Sequence, residues 1–144
     1  MGKAMAIRRT LLVAMLAALN AAPAVARSKA AAFLIEEHIA NACGPSGGTI
    51  EDSAAIERDL TGDGKADFVL SHEGIHCADG GRSSFCGMQV CGVNIYVRRG
   101  GLLVQEVEML GGGVKLVGDG IPAIEMFAHG GTVHRIRWNG TGFE

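Results

Sequence analysis

Asp59-Leu60-Thr61-Gly62-Asp63-Gly64-Lys65-Ala66-Asp67, followed at once by Phe68-Val69-Leu70, brings oxygen-bearing side chains, turn residues and the start of a strand together. Counting Asp59 as position one, side-chain oxygens fall at positions one, three, five and nine, with a glycine at six. Alternate residues of a tight loop turn inward, glycine permits the sharp bend, and the Lys65 carbonyl at position seven can add an oxygen. Such a set suits a hard cation. The apolar β-type run after the loop, and the short run Ala54 to Arg58 before it, predict a hairpin around the aspartates. Aspartate, threonine and glycine also build such turns without an ion, by hydrogen-bonding their own backbone.

A helix-loop-helix calcium site needs a bidentate Glu at position twelve, where this chain has Leu70. The loop instead resembles the aspartate-rich loops of FG-GAP or VCBS type repeats, which join two strands. The resemblance covers about a dozen residues, occurs once, and has Thr61 where Asn or Asp is commoner. It implies calcium (Ca2+) held by Asp59, Thr61, Asp63, Lys65 and Asp67. It implies an ion and no particular activity.

Residues 1–26 read as a secretory signal peptide, with Lys3, Arg8 and Arg9 at the start, an apolar stretch from Leu11 to Leu19, and Ala24-Val25-Ala26 as a small-residue cleavage site. The apolar stretch is short for a membrane span and ends at Asn20 and Pro23. No Cys stands at the cleavage site to carry a lipid, and Arg8-Arg9 resembles a twin-arginine signal only loosely. Cleavage leaves residues 27–144 as a single exported domain, periplasmic or secreted, with no membrane span. Of the 13 basic residues three leave with the signal and no acidic one does, so ten face 15 Asp and Glu, a formal charge of −5. A dispersed acidic balance argues against nucleic acid or an anionic membrane surface as partner.

All four cysteines, Cys43, Cys77, Cys86 and Cys91, lie in the exported part, where an even count reads as two disulfides with three pairings open. Cys86 with Cys91 is local and flanked by Gly87 and Gly92, suited to clamp a turn; Cys43 with Cys77 then staples the N-terminal helix to the sheet. The spacing lacks the paired Cys-x-x-Cys of zinc knuckles.

Lys29 to Ala42 carries a helical pattern, with Phe33, Leu34, Ile39 and Ala40 on one face, Glu36 and Glu37 toward water, and Gly44-Pro45 as the stop. Gln89 to Arg99 alternates Cys91, Val93, Ile95 and Val97 against Asn94, Tyr96 and Arg98, and Gly100-Gly101 turns it into Leu102 to Met109. Gly111 to Gly113, read as a hairpin turn, Asp119-Gly120 and Gly130-Gly131 punctuate three further strands, Val114 to Val117, Ala123 to Ala128 and Thr132 to Trp138. Asn139-Gly140 gives a type I′ signal toward Phe143. The sum is an α+β fold: one helix packed on an antiparallel β-meander, stapled by disulfides.

His72-Glu73-Gly74-Ile75-His76 fits the H-E-x-x-H expression of zinc proteases, which has meaning only on a helix. Following a β-type run, the two histidines stand about 13 Å apart if extended. His72, His76, His129 and His134 form the only ligand pool for a histidine-bound metal enzyme, while His38 reads as surface or packing. No P-loop is present. The longest irregular piece, between Cys77 and Cys91, is polar, tethered at both ends and offers Asp79, Arg82 and Phe85 as a candidate binding loop. The reading is a small exported domain that binds or scaffolds and does not catalyse, its partner a protein or envelope ligand. The alternatives are a histidine-metal enzyme and an inhibitor of an envelope or host hydrolase.

Overall fold

The computed structural model describes residues 26–144; the expected export signal lies outside them but for Ala26. Helix α1 (Lys29–Cys43) starts where the Ser28 hydroxyl accepts a bond from the Ala31 N–H and stops at Gly44, whose φ of 57° suits glycine. The aspartate loop joins β2 (Ala55–Arg58) to β3 (Asp67–Ser71) as an antiparallel hairpin, as its flanking runs predict. Strands β5 (Cys91–Arg99), β6 (Leu102–Val117), β7 (Ala123–Phe127) and β8 (Val133–Ile136) continue from it in one meander of order β2-β3-β5-β6-β7-β8. Two short strands that the sequence does not announce, β1 (Gly48–Ile50) and β4 (Ile75–Cys77), pair beside the end of α1. The fold is α+β, stapled by Cys43–Cys77 and Cys86–Cys91.

Side-chain alternation on β3 and β5 divides the core in two. Phe68, Leu70 and Tyr96 face α1 and pack with Ala31, Ile35 and Ala42. Val69, Val93 and Ile95 face the other way and meet Ile124, Met126 and the partly buried Leu116 and Ile136. Central strands covered on both faces explain why every residue from Asp67 to Ser71 and from Cys91 to Val97 is buried.

Three expectations are corrected. The helix buries Ala31, Ile35 and Ala42, leaving Phe33 65% exposed and Ala40 exposed. The small alanines let the helix approach the sheet, and His38 turns inward because its ring finds polar partners there. Gly111 to Gly113 is no hairpin turn: β6 runs through it, and a register shift against β7 bends the strand so that its second half covers the second core. A Cβ on Gly112 would lie 2.3 Å from the Phe127 ring, so only a bare backbone passes this corner. Gly112→Ala is expected to destabilise the protein by about 1–3 kcal/mol in urea unfolding, whereas Gly101→Ala, with open space around its Cβ, serves as a near-neutral comparison. The Asn139-Gly140 turn is not type I′, since no described non-glycine residue has positive φ; the Asn139 side chain accepts N–H bonds from Thr141 and Gly142 instead.

Candidate functional site

In the aspartate loop the carboxylates serve the backbone. Asp59 accepts N–H bonds from Thr61, Gly62 and Gly64, and Asp63 accepts one from Lys65 at 2.9 Å. Desolvation pushes the Asp59 carboxyl up, but the N–H groups of Gly64, Gly62, Thr61 and Asp63 together outweigh it and hold it below its ordinary value. Asp67 is fully buried, with Oδ2 accepting from the Leu60 N–H and the Thr61 hydroxyl and Oδ1 accepting from the Arg98 N–H of β5. The all-oxygen donors suit calcium in chemistry. Asp67 is also an anchor that ties the loop to the sheet. Among the described residues no three His, Cys, Asp or Glu side chains converge as a metal-binding group.

The cysteine-bounded segment is folded onto the domain. Asp79 accepts the Gly81 N–H, and Arg82 donates to the Gly87 carbonyl at 3.2 Å, so two of the three candidate loop residues act within the loop itself. The Ser84 N–H donates to the Ala42 carbonyl of α1, and Gln89 accepts the Gly130 N–H of the β7–β8 turn. What this bracing leaves in water is apolar: Phe85 is 46% exposed and Met88, inside the Cys86–Cys91 clamp, 98%. Sequence alone does not single out Met88, because an apolar residue in a loop gives no sign of its exposure.

Behind the loop lies a polar chain with no sequence spacing to announce it. The Ser83 hydroxyl is 2.8 Å from His72 Nδ1, His72 Nε2 is 2.9 Å from His38 Nδ1, and His38 Nε2 is 2.6 Å from the Tyr96 hydroxyl. Ser83 and His72 are each 2% exposed, and the Phe85 ring lies over His72 with centroids 4.6 Å apart. Burial, with a smaller contribution from the neighbouring His38, brings the His72 imidazole down to about 4; burial likewise lowers His38, against the pull of Glu37 and Glu108. Burial first, then the same two glutamates, push the Tyr96 phenol up to about 12. All four groups are therefore neutral at pH 7. A serine this deeply covered offers no face to a substrate, so the chain joins helix, sheet and loop.

The remaining histidines do not gather. His76 is exposed and pairs with Glu51 at 2.7 Å, while His129 and His134 are exposed at the β7–β8 hairpin. The H-E-x-x-H run is a short 3-10 turn (His72–Gly74) leading into β4, the helix that the expression requires being absent from it. A cleft of about 310 Å³ borders this turn, lined by Glu51, Ser53, Ser71, Glu73 and Gly113 among others. Its lining is more polar than apolar, with Ala54 and Val114 supplying its apolar side chains, unlike the mostly apolar walls of small-molecule sites. Among the described residues no helix is long and apolar enough to cross a membrane. Comparison with family models, with curated proteins and with solved structures finds no match to this chain.

Proposed function

We propose that this chain is a small exported binding domain, non-catalytic, whose recognition element is the loop of residues 79–90. The observation that carries this reading is the contrast within the loop. Arg82, Ser83, Ser84, Gln89 and a disulfide fix its backbone, yet Met88 stands 98% in water with Phe85 half-exposed beside the clamp. A fixed loop loses little entropy on binding, and exposed apolar side chains on it gain by being covered. The partner is then a protein or envelope component with an apolar recess.

The test is saturable binding of the labelled protein to envelope fractions, compared with the double variant Phe85→Ser/Met88→Asp. At least tenfold weaker binding by the variant is the expected result, with Met88→Asp alone, at a residue 98% exposed, weakening binding at an unchanged melting temperature. Equal binding by both proteins would move recognition off this loop.

Calcium at the β2–β3 turn is a second reading, favoured by the donor chemistry of Asp59, Thr61, Asp63, Lys65 and Asp67 and by the strand-loop-strand setting of the turn. The ion would neutralise three carboxylates crowded into nine residues. Thermal unfolding in millimolar calcium against chelator is expected to show a stabilisation of about 2.7 kcal/mol at a hundredfold excess over Kd. Asp63→Ala should abolish it, Asp63 being exposed with one short bond to Lys65. No shift in the wild type would leave the turn an ion-free aspartate turn.

A further inference from the structure

We propose that the Ser83–His72–His38–Tyr96 chain is an acid-operated latch on the recognition loop: protonation of the histidine pair breaks the hold on Ser83 and frees residues 83–90 while the sheet stays folded. This inference rests on the reading of that loop as the recognition element, and adds its regulation.

In each nitrogen-to-nitrogen contact one ring must donate and the other accept. With both imidazoles neutral the chain runs in one direction from Tyr96 to Ser83, or in the reverse direction, and every link is satisfied. One added proton on His38 is still tolerated, since that ring then donates both to Tyr96 and to His72. A second proton, on His72, sets two N–H donors against each other across 2.9 Å and places two positive charges in a site with little water.

The surroundings decide what gives way. Glu37 of α1 and Glu108 of β6 are the acidic groups whose charge reaches His38, and Tyr96 faces it from β5. His72 is faced by His38, Ser83 and the Phe85 ring. Glu73, the next residue, is turned away to accept the Gly113 N–H, and Arg82 is held by the Gly87 carbonyl. Among the described residues no carboxylate is therefore bonded to His72 to stabilise its charge. Of the neighbours of His72, helix and sheet are held by the Cys43–Cys77 disulfide and the first core, whereas the inner loop meets His72 through one hydroxyl and one ring. Otherwise single hydrogen bonds at Ser84, Phe85 and Gln89 tie the loop to the domain, and the Cys86–Cys91 bridge closes only its far end. The loop is the weaker side.

The sign follows from linkage. A loop-open state exposes His72 to water with its ordinary value of 6.5, while the closed state holds it at about 4. As the pH falls through that window the open state binds the extra proton, so opening becomes more favourable by tenfold per pH unit, about 300-fold over the whole window. Above 6.5 both states are neutral and the latch is closed.

The experiment is amide hydrogen exchange on the purified wild-type protein between pH 7 and 4, expressed as protection relative to intrinsic rates, with no partner present. The Phe85 N–H, bonded to the Ser83 hydroxyl, and the Gly92 N–H, bonded to the Phe85 carbonyl, report the latch. Amides of β3 and the fluorescence of Trp138, packed on Phe143 in the C-terminal turn, report the rest of the fold. The expected result is loss of protection at Phe85 and Gly92 by about tenfold per pH unit below 6.5, with β3 and Trp138 unchanged. Unchanged loop protection down to pH 4, or simultaneous loss everywhere, would overturn the latch.

His38→Gln, which can bond His72 but takes no proton, should keep the loop closed at a pH where the wild type has released it. Should that variant not fold, nitrogen NMR of the wild-type imidazoles decides: His72 titrating near its ordinary value with the loop still protected is incompatible with the proposal. Because the loop is read without a partner, failure of the latch and failure of the binding reading are separate outcomes.

Discussion

Asp67→Asn is expected to lower the unfolding free energy by about 2–4 kcal/mol, among the largest effects of any single substitution in this chain. Asp67 has no exposed surface, and its two oxygens accept from the Leu60 N–H, the Thr61 hydroxyl and the Arg98 N–H. Asparagine keeps one acceptor and turns an NH2 group toward the other donors, so a buried backbone N–H loses its partner whichever way the amide lies. Each such orphan costs about 1–3 kcal/mol, and the charge-assisted character of the remaining bonds is lost as well. The damage falls on the hairpin end that aligns β3 with β5 and seats Phe68 under α1.

Urea unfolding in chelator measures this, with Asp63→Asn as the comparison. Asp63 is exposed and holds only the Lys65 N–H, so its substitution should change stability by no more than about 0.5 kcal/mol. Equal losses at the two positions would remove the distinction between an anchor and a surface turn residue. In calcium the Asp63 variant is expected to fall below the wild type as well, Asp63 becoming important only when the ion is present. The pair of variants therefore separates what the carboxylates do for the backbone from what they do for a cation.

The limits of sequence reading are visible in the same residues. The strand-loop-strand setting of Asp59 to Asp67 was legible because turn residues and flanking apolar runs are local signals. The two faces of β5 and the Gly100-Gly101 turn were legible for the same reason. The corner at Gly111 to Gly113 was not, since a glycine run looks alike whether the chain reverses or passes close under Met126 and Phe127. Nor was the inward face of α1. The sequence leaves His38 open between surface and packing, and its turn inward depends on Tyr96 and His72, which lie 58 and 34 residues away. The latch and the exposure of Met88 are properties of tertiary placement, and one chain read alone carries no periodicity for either.

Removing Cys43–Cys77 as the double alanine variant is the other large expected effect. The bridge joins residues 34 apart, and the chain-entropy relation gives about 4 kcal/mol for a loop of that size. For a domain whose total stability is of order 5–15 kcal/mol this is a large share. Local contacts sharpen it: the bridge holds the end of α1 on the β1–β4 pair, and Gly48 passes so close that an added Cβ would lie 3.2 Å from the Cys43 sulfur. Denaturant unfolding should show the loss, with the β1–β4 amides the first to exchange. Cys86–Cys91, five residues apart, closes so small a loop that the same relation gives about 2 kcal/mol. Its removal should instead reduce the loop's amide protection and the protein's affinity for its partner more than its melting temperature. A global loss from Cys86→Ala/Cys91→Ala as large as that from Cys43→Ala/Cys77→Ala would show that the clamp supports the whole fold. The converse result would assign one disulfide to the fold and the other to the geometry of the surface it presents.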